Sequence, residues 1–338
     1  MKTNNQNILN VAIIGCGVMG SLHARIYSNI PNVKLVAVCD TKESSGKKLA
    51  SFHKIKYYLD YKEMLTKEKI GAISITVPTA HHKEVALFCI NWGVPAVLVE
   101  KPLASSVREA KLIAGAAQKK EVILTVGHIE RFNPAILKLK YYIKKGLLGK
   151  IVSIVVKRVG LFPPRVKDIN VVTDLAVHDL DIVCSLLDKF PKSIFATGGK
   201  GINADRIDYA DIFLDFNVTS CYLQVNWITP IKIRTLSVTG TLGYCELDYI
   251  TQELILYKSN YNNVVPEEFK KFVTALGKPR KVSVKIKKEE PLKLEILDFV
   301  NSVVKGNKPL VSPEEGINAV KLSEVVLKSL TDKRLIKL

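Results

Sequence analysis

Residues 11–27 read "VAIIGCGVMGSLHARIY". An apolar, β-branched run ends at Gly15, glycines follow in the spacing Gly15-x-Gly17-x-x-Gly20, and a helical pattern takes over. In this arrangement Gly15 permits a tight turn, Gly17 lets the backbone approach a pyrophosphate, and Gly20 lets helix and strand pack closely. The phosphates would meet the unsatisfied N–H groups of the first helical turn, at Val18 and Met19. Glycines at this spacing are common on their own. Here they follow a strand pattern, open a helix, and are matched by Asp40, twenty residues beyond Gly20 at the end of the next apolar run. The combination points to a dinucleotide. Asp40 would accept hydrogen bonds from ribose hydroxyls and repel a 2′-phosphate, which favours NAD, while Lys42 keeps NADP open. The plain alternative for Asp40 is a surface acid that caps the next helix.

Outward from this stretch, strand patterns recur at 34–40, 71–77, 95–100 and 121–127. Helical patterns separate them near 18–29, 42–52, 60–68, 81–91 and 105–119, the last opened by a Ser106/Glu109 capping box. Continuous apolar strands alternating with helices indicate a parallel sheet covered on both faces. Near residue 150 the pattern changes. Strand after strand follows, from "IVSIVVKRV" (151–159) to "ELILYK" (253–258), several alternating apolar and polar residues. Two helices close the chain, one after Pro291 and one opened by Ser312, Pro313 and Glu315. The expected fold is α/β. An N-terminal Rossmann doubly wound parallel sheet occupies 1–127, and a C-terminal α/β domain with an open, mostly antiparallel sheet occupies 128–338. The closing helices are candidates to pack back onto the first domain.

The chain has 338 residues, 47% of them hydrophobic and 24% charged, which suits two globular domains. No apolar run approaches the ~18 residues of a membrane span, so no membrane partner is expected. The opening "ILNVAIIGCG" lacks the basic flank and cleavage site of a signal peptide. Six cysteines lie at irregular spacings without C-x-x-C, the pattern of reduced thiols in a cytoplasmic protein. Lysine and arginine exceed acids by 18 charges, but they are scattered and form no basic–aromatic patch, so nucleic acid is not expected either.

The remaining motifs are "TVPTAHH" (76–82), "EKP" (Glu100-Lys101-Pro102), "GHIERFNP" (127–134) and "DLAVHDLD" (174–181). In the last, Asp174 and His178 stand four residues apart, on one face if the segment is helical. Such a pair is often a solvated surface contact worth only ~0.2–0.5 kcal/mol, and with Asp179 and Asp181 it could also ligate a metal. Together, and in this order, the motifs resemble the glucose–fructose oxidoreductase / inositol dehydrogenase / MocA (Gfo/Idh/MocA) family over nearly the whole chain. The resemblance implies that Lys101 lies beside the nicotinamide and the substrate hydroxyl, with Asp174 and His178 opposite. It implies cofactor contacts from Thr76, Pro78, Thr79, His82, Glu100 and Lys101. It also implies an oligomer, a homodimer or homotetramer, built through the open C-terminal sheet. No metal is expected. Asp179 and Asp181 are read as structural, and Pro102 is a candidate for a cis peptide bond.

The chemistry agrees with these roles. Oxidising a secondary alcohol needs a hydride acceptor and a base. Histidine suits the base because its unperturbed pKa lies near working pH, Asp174 could orient it, and Lys101 could stabilise developing negative charge. Arg131 and Asn133 in "IERFNP", with Arg158 and Arg165 in "RVGLFPPR", are candidates to bind the diphosphate of a nucleotide sugar. This pairing of motifs looks like the branch of the family that forms 3-keto UDP-N-acetylglucosamine. Inositol or free-sugar dehydrogenases, and regulators that bind the dinucleotide without turning it over, are the rival readings.

Overall fold

The computed structural model describes residues 8–162, 170–202, 205–258 and 280–338. The chain divides into two compact units, one running through Phe132 and resuming over Glu290–Glu324, the other comprising Asn133–Glu289 and Val325–Leu338. The break falls a few residues beyond the 127/128 boundary read from the sequence, because Phe132 is buried in the first unit's core.

In the first unit the strands are β1 (Leu9–Ile14), β2 (Val33–Cys39), β3 (Lys56–Tyr58), β4 (Ala72–Ile75), β5 (Ala96–Glu100) and β6 (Ile123–Gly127). Among the described residues they form one sheet in the order β3-β2-β1-β4-β5-β6, every pairing parallel. The helices α1 (Val18–Tyr27), α2 (Glu43–His53), α3 (Tyr61–Lys67), α4 (His82–Trp92) and α5 (Val107–Lys119) alternate with them. Side chains along a strand point to opposite faces in turn, so β1 feeds two cores. Ala12 and Ile14 join Ile113 and Ala117 of α5. Val11 and Ile13 join Ala24 and Tyr27 of α1, where Leu292, Ile296 and Phe299 of the helix Pro291–Lys305 complete the cluster. Both faces are covered, which is why these strands read as unbroken apolar runs. The three-residue β3 is too short to leave a pattern in the sequence.

The second unit contains α6 (Pro134–Lys144), β7 (Ile151–Val159), α7 (Val177–Leu187), β8 (Ser193–Gly199), β9 (Tyr209–Asp215), β10 (Ser220–Asn226), β11 (Ile233–Gly240), β12 (Gly243–Asp248), β13 (Glu253–Lys258), β14 (Arg280–Ser283) and β15 (Ile336–Lys337). They pair in the order β14-β13-β12-β11-β7-β10-β9-β8-β15. The β7–β10 pair is parallel and the other pairings are antiparallel. Buried and open positions alternate along β9 and β10, the signature of a sheet with one face packed. A π-helical turn at Val172–Ala176 leads directly into α7. No helix is read from the sequence between 128 and 150, yet α6 forms there. Its lysines alternate with apolar residues and obscure the period, but Ala135, Ile136 and Leu139 are buried. No described helix is long and apolar enough to cross a membrane.

None of the six cysteines forms a disulfide. Burial pushes the thiols of Cys16, Cys39, Cys89, Cys221 and Cys245 up to about 12, so they are poor nucleophiles at neutral pH.

Asn133 is 1% exposed and caps α6, its side-chain oxygen accepting from the Ala135 amide at 3.1 Å while Nδ2 donates to the Tyr249 carbonyl at 3.0 Å. Loss of a cap costs ~0.5–2 kcal/mol, and a buried carbonyl losing its donor adds to that. Asn133→Ala should therefore lower the urea midpoint of unfolding by an amount worth about 2 kcal/mol.

Candidate active site

The glycine turn has a geometry that its sequence demands. Gly15 sits at φ +101°, and a Cβ there would lie 2.6 Å from the Thr76 carbonyl carbon. A Cβ on Gly20 would lie 1.9 Å from the Gly15 carbonyl oxygen. On Gly17 it would meet nothing within 4 Å, so no protein contact accounts for the absence of a side chain there. Gly17 and Val18 are exposed, Met19 partly so, and no side chain caps the N-terminus of α1. Asp40, just past β2, accepts from the Cys16 amide at 2.6 Å through Oδ2 and from the Lys42 amide at 2.7 Å through Oδ1. Each oxygen keeps further lone pairs. An open turn, free helical amides and a fixed carboxylate together fit a dinucleotide's pyrophosphate and ribose.

The loops after β4 and β5 hold the other first-unit residues. Thr76 donates its hydroxyl to the Gly15 carbonyl at 2.7 Å, so it braces the glycine turn. Pro78 is exposed, and Thr79 is partly exposed in a short 3₁₀ turn. His82, expected among the cofactor contacts, is 1% exposed and lies between the carbonyls of Val77 and Pro102, 2.9 Å from each. Burial drives its pKa below the usual range against the pull of those carbonyls. A neutral ring has one N–H and can donate to only one of the two. Its place is between the two loops, away from any open surface. The Lys101–Pro102 bond is cis. Lys101 is partly exposed, and its amide donates to Glu100 Oε2 at 3.2 Å.

In the second unit Asp174 lies in the π-helical turn and His178 in the first turn of α7. Both are partly exposed in a segment that is otherwise mostly buried. Arg158, expected to bind substrate, is instead 4% exposed on β7, where its Nε and Nη2 donate to the two oxygens of Asp179 at 2.8 and 2.9 Å. The face of Tyr249 covers its guanidinium at 4.9 Å. Asp179 is fully buried. A carboxylate engaged at both oxygens by a guanidinium is a structural partner, which also argues against Asp179 as a metal ligand. Arg131, in the first unit, is 6% exposed and pairs with Glu315 at 2.8 Å. Asn133 is the α6 cap. Arg158 and Asn133 face inward because each satisfies a buried polar group that would otherwise be costly, while Arg131 is itself buried and pairs with a partly exposed carboxylate. Arg165 lies outside the described residues.

Residues 9–128 match the profile of an oxidoreductase family with an NAD-binding Rossmann fold, and residues 140–338 match that family's C-terminal α/β domain. The chain belongs to the Gfo/Idh/MocA oxidoreductase family. It binds NAD and is an oxidoreductase. Among relatives in the family, it is 27% identical over 296 residues to UDP-N-acetylglucosamine 3-dehydrogenase of Acidithiobacillus ferrooxidans, covering 87% of this chain and 88% of that one. The solved structure of that enzyme superposes with a TM-score of 0.84 at 26% identity over 96% of this chain and 98% of the other. Myo-inositol 2-dehydrogenase of Thermotoga maritima is 23% identical over 342 residues, covering 98% of each chain.

His23 on α1 escaped the sequence reading. It is fully buried, and its Nε2 lies 3.1 Å from Glu100 Oε1. Its signal was a polar residue on the helix face that carries Ala24 and Tyr27.

The glycines predict a contrast. Gly17→Ala should weaken NAD binding, followed by fluorescence titration, and leave the melting temperature of the unliganded protein nearly unchanged. Gly20→Ala should lower that temperature, because its Cβ collides with main chain. Separately, Asp179→Asn leaves a buried guanidinium short of its counter-charge and should cost roughly 3–5 kcal/mol in urea unfolding.

Proposed function

We propose that the protein oxidises a secondary hydroxyl of a sugar with NAD, and that the hydroxyl is the one on C3 of UDP-N-acetylglucosamine. The observation that carries the reaction is the exposure pattern of one segment. From Val171 to Val183, solvent reaches Thr173, Asp174 and His178 and little else. An acid and an imidazole on an open stripe of a buried helix are placed to handle a proton.

NAD, when bound, supplies the hydride acceptor. His178 takes the hydroxyl proton at Nε2, since its Nδ1 is buried. Asp174 stabilises the imidazolium that results. The Lys101 ammonium donates to the substrate oxygen and stabilises the negative charge that builds on it as the hydroxyl proton leaves. The hydroxyl proton leaves to the imidazole, the carbon's hydrogen leaves with its electron pair, and a ketone remains. Gly15, Gly17, Val18, Met19 and Gly20 would cradle the pyrophosphate, Asp40 would take the ribose hydroxyls, and Pro78 and Thr79 would lie toward the nicotinamide half.

The nucleotide-sugar substrate is supported by similarity to the Acidithiobacillus enzyme over most of both chains. One observation favours a second reading. With Arg131 and Arg158 in internal ion pairs, diphosphate recognition loses two candidate guanidiniums. A smaller polyol such as inositol needs neither, and an inositol dehydrogenase matches the full length.

The outer face of the second sheet supports a self-associating partner surface. Val155, Tyr222, Phe213 and Phe195 lie in register across β7, β10, β9 and β8, each between 39% and 42% exposed. A row of aromatic and aliphatic side chains on one sheet face suits a second copy of the chain.

Incubation with NAD and a panel of UDP-sugars, free sugars and inositols should give NADH with UDP-N-acetylglucosamine. Turnover of inositol alone removes the nucleotide-sugar substrate. His178→Asn should lower kcat by about 10²–10⁴-fold with NAD affinity retained, and near-normal kcat would exclude His178 as the base. Phe213→Lys should shift the mass measured by light scattering toward the monomer.

A further inference from the structure

A buried polar cluster lies next to Lys101 inside the first unit. α1 contributes His23 and Tyr27, β4 contributes Ser74, β5 contributes Glu100, and α8 (Pro291–Lys305) contributes Glu295. His23 Nδ1 lies 3.2 Å from the Ser74 hydroxyl, which is 2.7 Å from the Tyr27 hydroxyl. His23 Nε2 lies 3.1 Å from Glu100 Oε1, and Glu100 Oε2 takes the Lys101 amide at 3.2 Å. Glu295 is 2% exposed, and neither of its carboxylate oxygens has a hydrogen-bond partner. An oxygen of Glu295 lies within 4.8 Å of ligand atoms on both His23 and Glu100. Leu292, Ile296 and Phe299, on the same helix, are core residues.

Two carboxylates this close in a buried core, with His23 placed to compensate only Glu100, cannot both be ionised, since like charges at short range and low dielectric force one to keep its proton. We propose that Glu295 is a neutral, protonated acid that leaves Glu100 as the single carboxylate holding the main chain of Lys101, which makes both acids positioning residues for that lysine. Only the importance of Lys101 rests on the dehydrogenase reading above; the protonation of Glu295 does not.

The surroundings divide the pair in this sense. For Glu100, burial pushes the carboxyl up, but the hydrogen bond and charge of His23 and the nearby Lys101 outweigh it and hold the group below the usual range. For Glu295, burial, the charge of Glu100 and the charge of Asp298 all push upward, well above the usual range. A divalent cation could neutralise the same three side chains, because one imidazole and two carboxylates suit such an ion. The proton is the simpler solution, since Glu100 already has a partner at each oxygen.

Protonation makes a signed prediction. A carboxyl with a folded pKa above its unfolded value of about 4.3 must take up a proton on folding at any pH between the two. Stability from this group is then fully present below the unfolded value and falls as pH rises toward the folded one, by about tenfold in the folding constant per pH unit. Glu295→Gln keeps the shape and removes the proton. In urea unfolding of the full chain at pH values rising from the unfolded carboxyl value, the folding constant of Glu295→Gln relative to the parent should climb with pH. Infrared spectra of the parent near pH 7 should carry a carboxylic-acid C=O band that Glu295→Gln lacks. In the NAD-linked assay Glu295→Ala should lose kcat by about tenfold or more, the loss expected when a supporting shell is removed, and Glu295→Gln should recover most of it. A ratio of folding constants flat with pH, no difference in the infrared band, or a stoichiometric metal in the purified protein that Glu295→Gln loses would each overturn the neutral acid. Full turnover by Glu295→Ala would overturn the positioning role. If instead no variant and no parent turns over any sugar while the pH linkage and the band stand, the dehydrogenase reading has failed and the neutral acid has not.

Discussion

The main chain at Gly15, Gly20 and Thr76 runs so close together that a single added carbon does not fit, and the candidate cofactor site depends on that contact. The Thr76 hydroxyl closes onto the Gly15 carbonyl, and the Cys16 amide reaches Asp40 across the neighbouring strand. The turn between β1 and α1 is thus tied on one side to β4 and on the other to β2. With its geometry fixed from both sides, the helical amides at Val18 and Met19 keep one direction, and a pyrophosphate can be bound without reorganising the loop. Gly17 is the exception that gives the arrangement its purpose, since the protein itself leaves the space over it empty.

The handling of buried polar groups separates structural residues from candidate catalytic ones. Arg158 and Asp179 satisfy one another inside the second sheet's core, Arg131 meets Glu315, and Asn133 holds a helix end. Asp174 and His178 belong to the same acidic-rich stretch as Asp179, yet they stay partly open. The π-helical turn that carries Asp174 changes the residues per turn just before α7 begins, and such turns are frequent at functional sites.

The two sheets differ in what their strands can reveal. In the first, both faces are buried, and the strands are uniformly apolar. In the second, alternation marks one packed face, and the other carries the row of Val155, Tyr222, Phe213 and Phe195. Those four residues look unremarkable along the chain, because neighbours in the row come from four different strands. Pairing register alone brings them together.

The sequence by itself determined the parallel and antiparallel sheets, nearly every strand from β1 to β13, the glycine turn with its acid, and the Ser312/Glu315 capping box. These follow from local steric rules and short periods, which are written in consecutive residues. It did not reveal α6, where lysines blur the helical period, nor β3, which is too short to have one. Charge pointed to Arg158 and Arg131 as ligand contacts, motif resemblance to Asn133 and His82, and tertiary structure turned all four inward. A side chain's direction depends on which distant group needs a partner, and Asp179, Glu315, Tyr249 and Pro102 are each far from, or out of pattern with, the residue they engage. Glu295 makes the same point most sharply. In the chain it is one of two acids in a mostly apolar helix, and only packing that brings α1, β5 and α8 together places it beside His23 and Glu100 in a buried core.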